Sequence, residues 1–136
     1  MDLSKLAISS ESTSTMEVVH PGTLDPLVDD QGKPVTISVY SPESEQMKDF
    51  ERSMFNKAVK KMRQRRNQNS MDYEQIQSTI VDRAVAATAG WENIAFDGKE
   101  LACNPKNARM LYTKISWIKN QVIDFLNDEG NFMTGS

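Results

Sequence analysis

The sequence predicts an α+β fold, mainly α, in which a three-helix core carries a small N-terminal β-hairpin. Three features lead to it. Three segments place apolar residues at steps of three and four, the spacing that lines one face of a helix. Residues 35–40 alternate apolar and polar, the period of a half-buried strand. Turn-forming residues fall between these segments and not within them. At 136 residues with 26% charged side chains, the chain suits one folded domain.

Residues 1–15 are rich in serine and threonine and lack periodicity, so they are expected to form a flexible arm. The domain proper is expected over residues 16–132, with a hairpin at 16–40 and a short tail at 133–136. Met16-Glu17-Val18-Val19 reads as a short strand, and His20-Pro21-Gly22 breaks it. Asp29-Asp30-Gln31-Gly32 is a turn cluster before the alternating run, in which Val35, Ile37 and Val39 share one face. An isolated hairpin is marginal in water, so this one must pack on something.

Ser41-Pro42-Glu43-Ser44-Glu45 opens the first helix, with Ser41 as the cap and Pro42 at the first helical position. Met47, Phe50, Met54, Ala58 and Met62 then form one stripe, and the helix is expected over residues 42–66. The polar Asn67-Gln68-Asn69-Ser70 connects to a second helix, capped by Ser70. Its face carries Tyr73, Ile76, Ile80, Ala84 and Ala87, and Gly90 is its expected stop. Asp97-Gly98 is a turn. Asn104-Pro105 opens the third helix, whose stripe of Ala108, Leu111, Ile115, Ile118, Val122 and Phe125 is the cleanest in the chain. Asn127-Asp128-Glu129-Gly130 ends it. Trp91 and Trp117 read as anchors.

Composition narrows the chemistry. One histidine (His20) and one cysteine (Cys103) are too few for a His/Cys zinc cluster, and they leave little for nucleophilic catalysis. Cys103 is expected as a small buried apolar residue, and His20 as a turn residue. Asp97 and Glu100 alone do not make a calcium loop. The carboxylates Asp124, Asp128 and Glu129 have no apolar pocket to shift a pKa, so no catalytic pair is claimed. No cofactor is implied. No apolar run approaches the ~20 residues needed to span a bilayer, and the N-terminus lacks a signal peptide's apolar stretch. A soluble intracellular protein that is not an enzyme is the expectation.

The net charge of −3 hides a basic segment: residues 43–66 carry +4 between two acidic blocks. Lys57, Lys60, Lys61, Arg63, Arg65 and Arg66 form a run with no acid between them. It is either an electrostatic footprint for nucleic acid or an acidic protein, or the solvated end of a dipole-matched helix. A pI near 5.2 and the lack of interleaved aromatics argue against nucleic acid. Eight methionines are many for this length, and Met47, Met54 and Met62 share a stripe with Phe50. Such a stripe is either core or an adaptable partner surface. The candidate partner-binding residues are therefore Met47, Phe50, Met54, Met62, Lys60, Lys61, Arg63, Arg65 and Arg66. The strand at residues 35–40 is a further candidate, completed either by its own helices or by a neighbouring subunit's edge.

The layout resembles the small tail assembly chaperones of long-tailed bacteriophages over roughly residues 16–132. The likeness lies in His20-Pro21-Gly22-Thr23 through Val35-Thr36-Ile37-Ser38-Val39 followed directly by a long charged helix. It continues in Trp91-Glu92-Asn93-Ile94, Asp97-Gly98 and Asn104-Pro105-Lys106-Asn107-Ala108-Arg109. It ends in Trp117-Ile118-Lys119-Asn120-Gln121-Val122 to Phe125, then Asn131-Phe132. The resemblance implies a mostly helical, non-catalytic homo-oligomer in the host bacterial cytoplasm. It would hold the tape measure protein, recruit tail tube subunits and be absent from the mature virion. A structural connector of the particle and a small nucleic-acid-binding regulator are the alternatives.

Overall fold

The strand predicted at residues 35–40 is the centre of the sheet. A computed structural model of the chain describes residues 2–64 and 72–133. In it β1 (Thr13–Glu17) and β2 (Thr36–Tyr40) pair antiparallel, with Met16 opposite Ile37. On the other side of β2 lies β3 (Thr88–Glu92), also antiparallel, with a bulge between Ser38 and Val39. The alternation of β2 has the expected outcome: Ile37 and Val39 are buried against the helices. Thr36 and Ser38 face the other way, and Ser38 meets Thr15 across the sheet.

The helices are α1 (Glu45–Gln64), α2 (Tyr73–Ala87), α3 (Pro105–Lys114) and α4 (Ser116–Asn127). A second, two-stranded hairpin joins β4 (Ala95–Phe96) to β5 (Lys99–Glu100) through Asp97 and Gly98, both at positive φ. That is the conformation tight hairpin turns demand. The class is α+β, mainly α, as the periodicities predict. The core gathers Met16, Ile37 and Val39 from the sheet with Ala84, Leu111, Val122 and Leu126 from the helices.

Four expectations change in detail. The boundary between arm and domain falls inside a strand, because Thr13–Thr15 belong to β1. Before it, Ser9 N–H donates to the Phe132 carbonyl at 2.8 Å, and Ile8 bridges Met133 of the expected tail. The two ends of the chain thus hold each other. Residues 18–35 then form a long connection with bridges Val19–Pro26 and Val28–Pro34, so the hairpin runs between strands further apart than expected.

Second, α2 stops at Ala87, and Gly90 lies within β3 opposite Ser38. The helix breaks at Thr88, whose backbone is extended and whose hydroxyl donates to the Ala84 carbonyl at 2.8 Å. Third, the predicted third helix is two. Ile115 leaves the helical region (φ −118°, ψ 76°), and α3 and α4 join there at an angle to one continuous rod. Each half then buries its own set: Ala108, Leu111 and Tyr112 from α3, and Ile118, Val122 and Leu126 from α4. A break at one residue leaves the three-and-four spacing intact, so periodicity cannot reveal it.

Fourth, the caps move. Met47 N–H donates to Ser44 Oγ at 3.3 Å, which makes Ser44, not Ser41, the cap of α1. Ser41 is buried, and its hydroxyl donates instead to the Ser9 carbonyl. Asp72 caps α2 by accepting from Gln75 N–H at 2.9 Å. Ser70 lies outside the described residues, as does the rest of the connection. Asn104 caps α3 as expected, accepting from Asn107 N–H at 2.8 Å.

Two polar contacts fix the helices to the sheet side. Gln121 of α4 accepts from Val19 N–H at 3.0 Å and donates to the Val19 carbonyl at 2.8 Å. One amide side chain therefore stands in for a neighbouring strand. Gln121→Ala leaves both Val19 groups without that partner and is expected to cost about 1–3 kcal/mol, read from urea unfolding.

Tyr112 is the largest fully buried side chain. Thr88 spends its hydroxyl proton on Ala84, so Tyr112 donates to Thr88 Oγ1, at 2.6 Å. Burial pushes the phenol from 10.0 up to about 12. Its native value lies above the unfolded one, so its contribution is whole below pH 10 and is lost as pH rises towards 12. The loss amounts to roughly 2–3 kcal/mol. Tyr112→Phe is expected to be about 1 kcal/mol less stable at neutral pH. The gap should close at about pH 11 and reverse above it, and melting temperatures of both proteins across pH 8–12 check it.

Candidate partner-binding surface

Helix α1 has 20 residues and a length of about 30 Å. Its first two turns are locked to the body. Met47 is fully buried, Phe50 packs against the core, and Glu51 meets Arg83 of α2 at 3.4 Å. Arg83 also donates to Asn127 of α4 at 3.1 Å, tying three helices together. Beyond Met54, which is half-buried, no described side chain of α1 is buried. Phe55 is 68% exposed and Met62 74%.

Helix α2 shows the opposite gradient. Ala84 and Ala87 near its end are buried, while Tyr73 at its start is 71% exposed and Ile76 is exposed as well. The Glu51–Arg83 pair joins the start of α1 to the end of α2, so the exposed stretches are those remote from that joint. Single exposed apolar residues are ordinary, whereas a run of large ones on one helix points to a partner.

At 3.6 residues per turn, Met54, Phe55, Ala58, Val59 and Met62 fall within one arc of roughly 140°. Lys57, Lys60, Lys61 and Arg63 occupy the rest of the circumference, and all four are exposed. The result is an apolar band with basic flanks. A band of this kind suits an amphipathic helix with acidic residues beside its apolar face.

The predicted residues therefore divide. Met62, Lys60, Lys61 and Arg63 are at the surface, Phe50 and Met54 are half-buried, and Met47 belongs to the core and is unavailable to a partner. Arg65 and Arg66 lie outside the described residues. Phe55 was not on the predicted stripe. Its signal was its place one residue after Met54, which widens the band away from the core-facing line. The strand at residues 35–40 is not open to a neighbour, because β1 and β3 occupy both its edges.

Cys103 is exposed, contrary to the expectation of a buried residue, because it precedes the Asn104 cap in the link to α3. Partial desolvation pushes its thiol up, which is the wrong direction for a nucleophile. His20 Nδ1 accepts from Gly22 and Thr23 N–H at 3.0 and 3.2 Å, a turn role as expected. Trp91 donates to the Leu101 carbonyl at 2.8 Å and anchors the second hairpin. Among the described residues no helix is long and apolar enough to cross a membrane, and no three His, Cys, Asp or Glu side chains are grouped to hold a metal ion. No protein-family model, curated protein or solved structure matches the chain.

Proposed function

We propose that this protein is a non-catalytic tail assembly chaperone that holds apolar helical segments of a tape measure protein and helps recruit tail tube subunits. It acts in the host bacterial cytoplasm and leaves before the particle is complete. The observation that carries the reading is the exposed band of α1 with its basic flanks. The client segment would be an amphipathic helix with acidic residues beside its apolar face. Covering that face keeps a long client helix from aggregating, and subunits bind side by side along it as a homo-oligomer.

Co-expression with a tape measure protein tests this. The client is expected to become soluble and to co-purify with the chain, and purified particles are expected to lack the chain by mass spectrometry. An insoluble client with no complex contradicts the reading. Presence in the particle favours the connector alternative.

The four exposed bases favour a second reading, a nucleic-acid-binding regulator. Its affinity would fall steeply with salt, and replacing Lys60, Lys61, Arg63, Arg65 and Arg66 by glutamate would abolish it.

A further inference from the structure

A cavity of about 380 Å³ opens between α2, α3 and α4, apart from the band on α1. Its apolar lining comes from Tyr73, Val81 and Tyr112. Lys119 also lines it, yet only 6% of that residue is exposed. Among the described residues its ammonium donates only to the Gln77 amide oxygen, at a long 3.4 Å. Among the described residues no carboxylate lies within ion-pair distance of it. Arg109, the other cation of the lining, is already paired with Asp82 at 2.5 Å.

A cation withdrawn from water is costly unless an anion faces it. Ser116, the first residue of α4, lines the same cavity, and α4 has no side-chain cap at Ile115. The N–H end of a helix adds to the attraction for negative charge. Glu74 is present too, and its charge repels a dianion more than a monoanion. The volume exceeds what a bare ion fills and matches the lower range of small-molecule sites.

We propose that this cavity binds an organic monocarboxylate with an apolar body. Lys119 takes the carboxylate at the start of α4, and the body lies on Tyr73, Val81 and Tyr112. A free small acid and the C-terminal residue of a protein chain present the same chemistry.

Titrating the isotope-labelled full chain with 3-phenylpropionate, N-acetylphenylalanine and inorganic phosphate, while following the NMR signals of Lys119 and the first turn of α4, tests the site. Both carboxylates are expected to move these signals, and phosphate at matched ionic strength is not. Tighter binding of N-acetylphenylalanine points to a chain terminus, and tighter binding of 3-phenylpropionate to a free acid. Lys119→Met is expected to lose affinity at least tenfold while melting at the same temperature or higher, since it removes an unpaired charge. Glu74→Gln is expected to bind several-fold tighter, and it serves if the methionine variant does not fold. Signals unmoved by either carboxylate, unchanged affinity in Lys119→Met, or an equal response to phosphate would overturn the proposal.

Discussion

Ile37→Ala is expected to destabilise the protein by about 2–5 kcal/mol, the largest stability effect among the substitutions considered. Ile37 has no exposed surface and lies on the central strand, between Met16 on β1 and Trp91 on β3. Its loss removes apolar contact and leaves a void that paired backbones on both sides cannot collapse to fill. At this chain length each kcal/mol corresponds to roughly 3–5 °C in melting temperature. Ile37→Val keeps the branched shape and is expected to cost only about 0.5–1.5 kcal/mol. Urea unfolding of the two variants checks the pair. Equal, small losses in both would mean that β2 is not the centre of the core.

The second large effect is on binding. Replacing Phe55 and Met62 together by glutamine is expected to change stability by less than about 1 kcal/mol, because both side chains are largely in water and glutamine suits a helix. The proposed capture of a tape measure protein, in contrast, should weaken at least roughly 100-fold. Burying a phenylalanine and a methionine contributes about 3 kcal/mol or more, and each 1.4 kcal/mol is tenfold. Affinity by titration calorimetry and melting temperature, measured on the same sample, separate the two effects. A folded double variant that binds the client as tightly as the unaltered chain would place the contact elsewhere.

Much of the fold is legible in local pattern. The face of β2, the caps of turns at His20 and Asp29, the Asp97-Gly98 hairpin and the opening of α3 at Asn104-Pro105 depend on residues within a few positions of each other. What escapes is set by long-range pairing. Nothing near Thr13 announces that it will find Tyr40, and nothing near Gly90 announces Ser38. Glycine at the end of a helical pattern normally reads as a stop, yet here the backbone enters a sheet two residues earlier. The angle at Ile115 is invisible for a different reason: one non-helical residue does not shift the apolar period.

The candidate surface is legible in the same uneven way. A helical stripe reports that one side of α1 is apolar, but it is silent about where the core ends along the axis. Met47 and Met62 share the stripe and have opposite fates, buried and exposed: the described contacts that lock α1 to the body, Met47 in the core and Glu51 on Arg83, fall in its first half. The basic run is plain in sequence. That it flanks an uncovered apolar band follows only once the burial of each turn is known.

Hydrogen exchange on the proposed complex with a tape measure protein bears most directly on the central claim. Protection is expected to appear over residues 54–64 of α1 on client binding, with the sheet amides of β2 unchanged. Protection confined to the sheet or to α3 and α4, with the far half of α1 exchanging as freely as in the unbound chain, would contradict it.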